Sequence, residues 1–138
     1  MHTGNFVGSS LKIMEKEFVP YEQALALKEL GFEYVSTIFA YDEAGELYTR
    51  SGIPHDFNIR GLLSAPTFSQ AFRWFREKYD LVCIITFDDD VKGKWFGNLY
   101  GHYETHGKYD FGYTELFKTY EEAELECLKK LIEIVKNK

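Results

Sequence analysis

Apolar residues in this chain follow two different periods, and the change between them is sharpest across 64–88, SAPTFSQAFRWFREKYDLVCIITFD. Phe68, Ala71, Phe72, Phe75 and Tyr79 recur every three or four residues, which is one face of a helix with Phe72 at its centre. Trp74 flanks that stripe, and Arg73 and Glu77 point away from it. Thr67 followed by Gln70 is a capping-box pattern, and Pro66 just ahead doubles the start signal. From Leu81 the pattern becomes that of a strand, because 81–87 carries no charge and is rich in β-branched residues. Leu81, Cys83, Ile85 and Phe87 share one face, and Val82 and Ile84 lie on the other. A strand apolar on both faces is expected in the centre of its sheet.

The same reading extends in both directions. Pro20 and Gly31 bracket YEQALALKEL as a short helix, with Phe32 placed to fold back onto Leu27. Residues 34–41, YVSTIFAY, read as a strand, 42–45 as a turn closed by Gly45, and 46–50 as the returning arm of a hairpin. Residues 51–65 form a long connection containing Gly52, Pro54 and Gly61, and connections of this length are often functional. After a turn at 88–93, residues 94–104 alternate as a strand. Trp95, Leu99 and Tyr103 lie on one side with Gly97 and Gly101 between them; Phe96, Asn98, Tyr100, His102 and Glu104 lie on the other. A turn at 105–108 leads to a short edge strand at 109–113.

The last helix opens with a second capping box, Thr119 and Glu122. Glutamates crowd its start and lysines its end, matching the helix macrodipole. Leu125, Leu128, Leu131, Ile132 and Val135 make its core stripe, widened by Ala123, Cys127 and Ile134. The order is α-β-β-α-β-β-(β)-α. It predicts an α+β two-layer domain, an antiparallel sheet of four to five strands with three helices mainly on one face.

At 138 residues the chain is near the commonest domain size, and 45% apolar content supports a packed core. Residues 1–13 are Gly/Ser-rich, lack a sustained period and read as a flexible leader, so the single α+β domain is expected over 14–138. Met14 is a plausible internal start. Twenty-two acidic residues against 16 basic ones give a net charge of −6, which disfavours nucleic-acid binding through phosphates. Cys83 and Cys127 fall in apolar surroundings without a C-x-x-C pair, and read as two buried free thiols. With no apolar segment long enough to cross a membrane and no apolar signal core, the expectation is a soluble cytoplasmic domain without a membrane role.

Three blocks, EFVPYEQALALKELGF at 17–32, PTFSQAFRWFREKY at 66–79 and YEEAELECLKKLIEIVKNK at 120–138, resemble a family of small proteins of gut Bacteroidales bacteria and their phages. The blocks cover about a third of the chain. Members of that family begin near the position of Met14, and none has an established activity. The resemblance therefore supports the domain limits and implies no catalytic residues.

Candidate chemistry is sparse. His102 and His106 would stand ~13 Å apart on a strand at ~3.3 Å per residue, whereas zinc ligands each lie within ~2.1 Å of the metal. Asp88, Asp89 and Asp90 with Gly93 imitate half a calcium loop, but Leu99 stands where its bidentate glutamate belongs and Lys92 takes a ligand position. No metal or other cofactor is expected. Arg73, Trp74 and Arg76 suit a solvated helix face better than a nucleic-acid contact, given Glu77 beside them. His55, Asp56 and Arg60 in the 51–65 loop could form an acid–base pair with an anion clamp, but no nucleophile motif accompanies them. The strongest feature is the face Phe96, Asn98, Tyr100, His102 and Glu104, where aromatic and hydrogen-bonding groups alternate as recognition surfaces require. It predicts a non-enzymatic interaction or regulatory module of mobile-element origin, with a protein partner or a homodimer. The alternative is a small-ligand-binding or hydrolytic domain using the 51–65 loop.

Overall fold

The computed structural model describes residues 15–32, 39–49, 63–91 and 94–138. The predicted leader, most of the 51–65 loop and the first half of the 34–41 strand lie outside them. The chain divides into two compact units at the Thr67–Phe68 boundary.

In the first unit, helix α1 spans Tyr21–Glu29. Pro20 stands at its N-cap, one residue earlier than expected. Leu30 caps the other end and Gly31 follows with φ of 100°. Phe32 N–H donates to Leu27 O and Gly31 N–H to Lys28 O, the paired bonds that close a helix through a left-handed residue. Strands β1 (Phe39–Tyr41) and β2 (Leu47–Thr49) form the expected hairpin. Its turn is held by Asp42 Oδ1, which accepts from the N–H groups of Ala44 and Glu46, with Gly45 at φ of 85°. On its other side β1 pairs with β3 (Leu63–Ser64), giving the order β2-β1-β3. Val19, Leu27, Ala40 and Leu63 are buried in this unit, and the Tyr41 hydroxyl donates to Val19 O at 2.7 Å.

The second unit contains helix α2 (Phe68–Tyr79), strands β4 (Leu81–Asp88), β5 (Lys94–Gly101) and β6 (Asp110–Tyr113), a one-turn helix α3 (Tyr103–His106) and helix α4 (Tyr120–Lys136). The antiparallel order is β4-β5-β6. Helices α2 and α4 pack on each other; α2 also packs on β4, and α4 on β4 and β5. Phe68, Ala71 and Phe75 from α2 meet a core that includes Leu81, Leu99, Cys127, Leu128 and Leu131. The Thr119–Glu122 capping box is present in both directions.

Three expectations need correction. There are two three-stranded antiparallel sheets among the described residues, not one sheet of four to five strands. Hydrophobic period identifies strands but not their partners, and the two-residue β3 is too short to register in any period. Strand β4, expected in the centre, is an edge strand of its described sheet, and β5 takes the centre. Its second apolar face carries Ile84 at 52% exposure, with Val82 and Thr86 half-buried. The third concerns α2, whose buried residues are Phe68, Ala71 and Phe75, with Phe72 only half-buried.

Candidate functional site

Which face of β5 is open follows from its glycines. A Cβ placed on Gly97 would run into Cys127 Sγ of α4 and come within 2.9 Å of Cys83 Sγ. Leu99, on the same side, is buried. Phe96, Asn98 and Tyr100 therefore project to the opposite face. Antiparallel register sets Val82, Ile84 and Thr86 of β4 beside Tyr100, Asn98 and Phe96 respectively. On the other flank Tyr113 of β6 stands opposite Asn98. The Tyr109 ring lies 5.2 Å from that of Tyr100. Tyr109 is 64% exposed and Tyr113 74% exposed. The result is a largely apolar and aromatic surface across all three strands of the second sheet, with Asn98 and Thr86 as its polar members.

Two of the five residues expected on this face lie past the end of the strand, although both line a groove beside it. Strand β5 ends at Gly101, so His102 and Glu104 are not strand residues. His102 is the N-cap of α3, where its Nδ1 accepts from Glu104 N–H, and Glu104 lies in the first turn. The expected strand and turn at 102–108 is thus a turn of helix, closed by Gly107 at φ of 74°. Its polar groups fasten the α2–β4 corner. His102 N–H donates to Asp80 O, Thr105 Oγ1 to Asp80 Oδ2 at 2.8 Å, and His106 Nε2 to Tyr79 O at 2.5 Å. Asp80 itself adopts φ of 53°, a conformation that Asp tolerates better than most residues. Local sequence gave no sign of this corner, because Asp80 and Thr105 are 25 positions apart.

Beside the corner the open face deepens into a groove of about 670 Å³, lined by Val82, Ile84, Tyr100, His102, Tyr103 and Tyr109 among others. Its lining is mainly apolar, which suits a hydrophobic side chain better than a reacting polar group. Sequence reasoning missed Tyr109 and Tyr113 as site residues. Their place on the face depends on a bulge in β6, where three residue steps from Asp110 to Tyr113 oppose two from Asn98 to Tyr100. Gly112 at φ of 95° supplies the bulge, and Asp110 Oδ1 accepts its N–H.

The remaining candidates do not converge on this face. His55, Asp56 and Arg60 lie outside the described residues. Asp88, Asp89 and Asp90 bring carboxylate oxygens within 4.8 Å of one another at the end of β4; Lys92 and Gly93 of that imitation lie outside the described residues. Arg73 is ion-paired with Glu77 at 3.2 Å on the exposed side of α2. Burial raises the Tyr120 phenol above its ordinary pKa, with Glu124 and Glu121 adding to the effect.

Cys83 and Cys127 form a disulfide across a Cα–Cα distance of 6.4 Å, where two free thiols were expected. The glycine between them is the reason: without a side chain at Gly97, the residue on β4 and the residue on α4 meet over β5. Disulfides persist chiefly in oxidising compartments, which weighs against the cytoplasmic setting expected from the sequence. No described helix is long and apolar enough to cross a membrane. In comparisons with known proteins, no family model, no curated sequence and no solved structure matches this chain.

Proposed function

We propose that the second unit is a non-enzymatic interaction module that docks a protein partner through the open face of β4, β5 and β6. One observation carries this reading. Ile84, Tyr109 and Tyr113, all large and exposed, line up across the strands with Val82, Phe96 and Tyr100 instead of being scattered. Contiguous patches of this kind, rimmed by polar groups, mark interaction sites on soluble domains. Aromatic residues are the usual energetic centres of such sites because they bury a large area with few rotatable bonds. The groove beside Tyr100 gives the partner a place for an apolar anchor. The resemblance of 17–32, 66–79 and 120–138 to proteins of Bacteroidales and their phages supports reading the module as an accessory or regulatory component of mobile elements.

The test is capture of partners from the native cell with the full chain, repeated with Tyr100→Ala. The reading expects the variant to fold and to lose the partner that the wild type retains. A folded Tyr100→Ala chain that recovers the same partner in the same amount overturns it.

A further inference from the structure

The edge of the second sheet points to how a partner is held, an inference that rests on the reading of this unit as an interaction module. In β5 the backbone groups of Trp95, Gly97 and Gly101 are turned toward the β6 side. Trp95 N–H donates to Phe117 O, Gly97 O accepts from Thr114 N–H, and Gly101 N–H donates to Tyr109 O. The intervening residues of β5 therefore bond to β4, and through the register their partners are Val82, Ile84 and Thr86. His102 N–H donating to Asp80 O continues the same alternation. It follows that Leu81, Cys83, Ile85 and Phe87 direct their N–H and C=O groups to the outer edge. Among the described residues nothing pairs with that edge.

An unpaired edge of this length is normally blunted along its middle by a charged side chain, a proline or a bulge. Strand β4 has none of these before its last residue, Asp88: its eight residues pair with β5 without interruption, and 81–87 contains no charge and no proline. Its side chains offer contacts on both faces, with Ile84 at 52% exposure and Phe87 at 49%. The ends are acidic. Asp80 precedes the strand, and Asp88, Asp89 and Asp90 close it, with Lys94 of β5 opposite Asp88 and two further carboxylates beyond it. Self-pairing of two copies about Ile84 would set Asp80 of each against Asp88 of the other, and like charges directly opposite destabilise a sheet.

We propose that β4 accepts an extended segment of another protein as a fourth strand, and that this segment is apolar at alternate positions with lysine or arginine at the end lying against Asp88–Asp90. Main-chain bonds to Leu81, Cys83, Ile85 and Phe87 supply affinity, alternate side chains read the open face, and the acidic end selects a basic flank.

The experiment selects a displayed library of random linear peptides on the full chain, then follows amide hydrogen exchange residue by residue. The free chain should exchange rapidly at Leu81, Cys83, Ile85 and Phe87 and slowly at Val82, Ile84 and Thr86. Selected peptides should be alternating and basic at one end, should protect the first four amides, and should bind less well as salt is raised. Methylating one of the peptide's main-chain nitrogens that faces β4, with every side chain kept, should weaken binding about tenfold or more, as expected when a buried acceptor loses its donor. Because that change is made in the peptide, it needs no variant of the chain to fold. Failure to select such peptides, or binding that leaves the four amides unprotected, overturns the edge proposal while leaving the face to the Tyr100→Ala test. Protection of the same amides before any peptide is added also overturns it, since a second copy or another part of this chain would then hold the edge.

Discussion

Gly97 shows how much of this molecule depends on single positions. The strand passes beneath α4 so closely that the Cys83 and Cys127 sulfurs occupy the space a Cβ would need. Thr114 crowds the same spot, its Cγ2 3.6 Å from where that Cβ would stand and its Oγ1 accepting from Gly97 N–H at 2.9 Å and donating to Glu115 O. Gly97→Ala should lower stability by ~1–3 kcal/mol, the usual cost of forcing a methyl into a filled core. A denaturant midpoint unchanged in the variant would contradict this close approach of α4 to β5. Phe75 is the second such position. It is fully buried, while Phe72, which the helical period put at the centre of the stripe, is half-exposed. Phe75→Ala should cost ~3–5 kcal/mol and Phe72→Ala distinctly less, measured by the same unfolding transition. The helical stripe was legible in the sequence. Its centre was not, because that depends on the angle at which α2 meets β4 and α4.

At the level of elements, the parts governed by local chemistry were the readable ones. Helix α4 begins where Thr119 and Glu122 satisfy each other's backbone N–H groups, at 3.1 and 3.2 Å. Thr119→Ala should therefore lose ~0.5–2 kcal/mol, the range for removing an N-cap hydroxyl. Thermal unfolding checks this, and an unchanged melting temperature would mean the first turn is held by packing alone. The hairpin of β1 and β2 and the glycine stop after α1 were legible for the same reason. What escaped were features made by distant partners. Strand β3 owes its existence to pairing with β1, the α3 turn to Asp80 and Tyr79, and the β6 bulge to its register against β5. The open face was found in part: Phe96, Asn98 and Tyr100 were placed on it by alternation, whereas His102 and Glu104 belong to the cap and first turn of α3 and line the groove beside it. The double apolar face of β4 was visible too, but period alone does not separate a face buried by a second layer from one left for a partner.

For the whole molecule, the division into two units and the disulfide change the picture most. Cys83 and Cys127 both belong to the second unit and close a loop with a sequence separation of 44. Reduction should destabilise that unit by ~2–4 kcal/mol, the typical contribution of a crosslink closing a loop of this order. Thiol titration of the denatured, unreduced chain should find no free cysteine, and two reactive thiols would contradict the pairing.

If the open face of the second sheet is a binding surface, a single change at Ile84 should reveal it. Its side chain stands on that face between Val82 and Thr86, beside Asn98, and is already half in solvent. Ile84→Ser leaves the main chain of β4 in place and removes the apolar contact. The decisive measurement is a titration of the captured partner with wild-type and Ile84→Ser chains, with the melting temperature of each recorded. Ile84→Ser should lose ~2 kcal/mol of binding, the threshold of a hot spot, with little change in melting. Equal affinity for the two folded chains would contradict it.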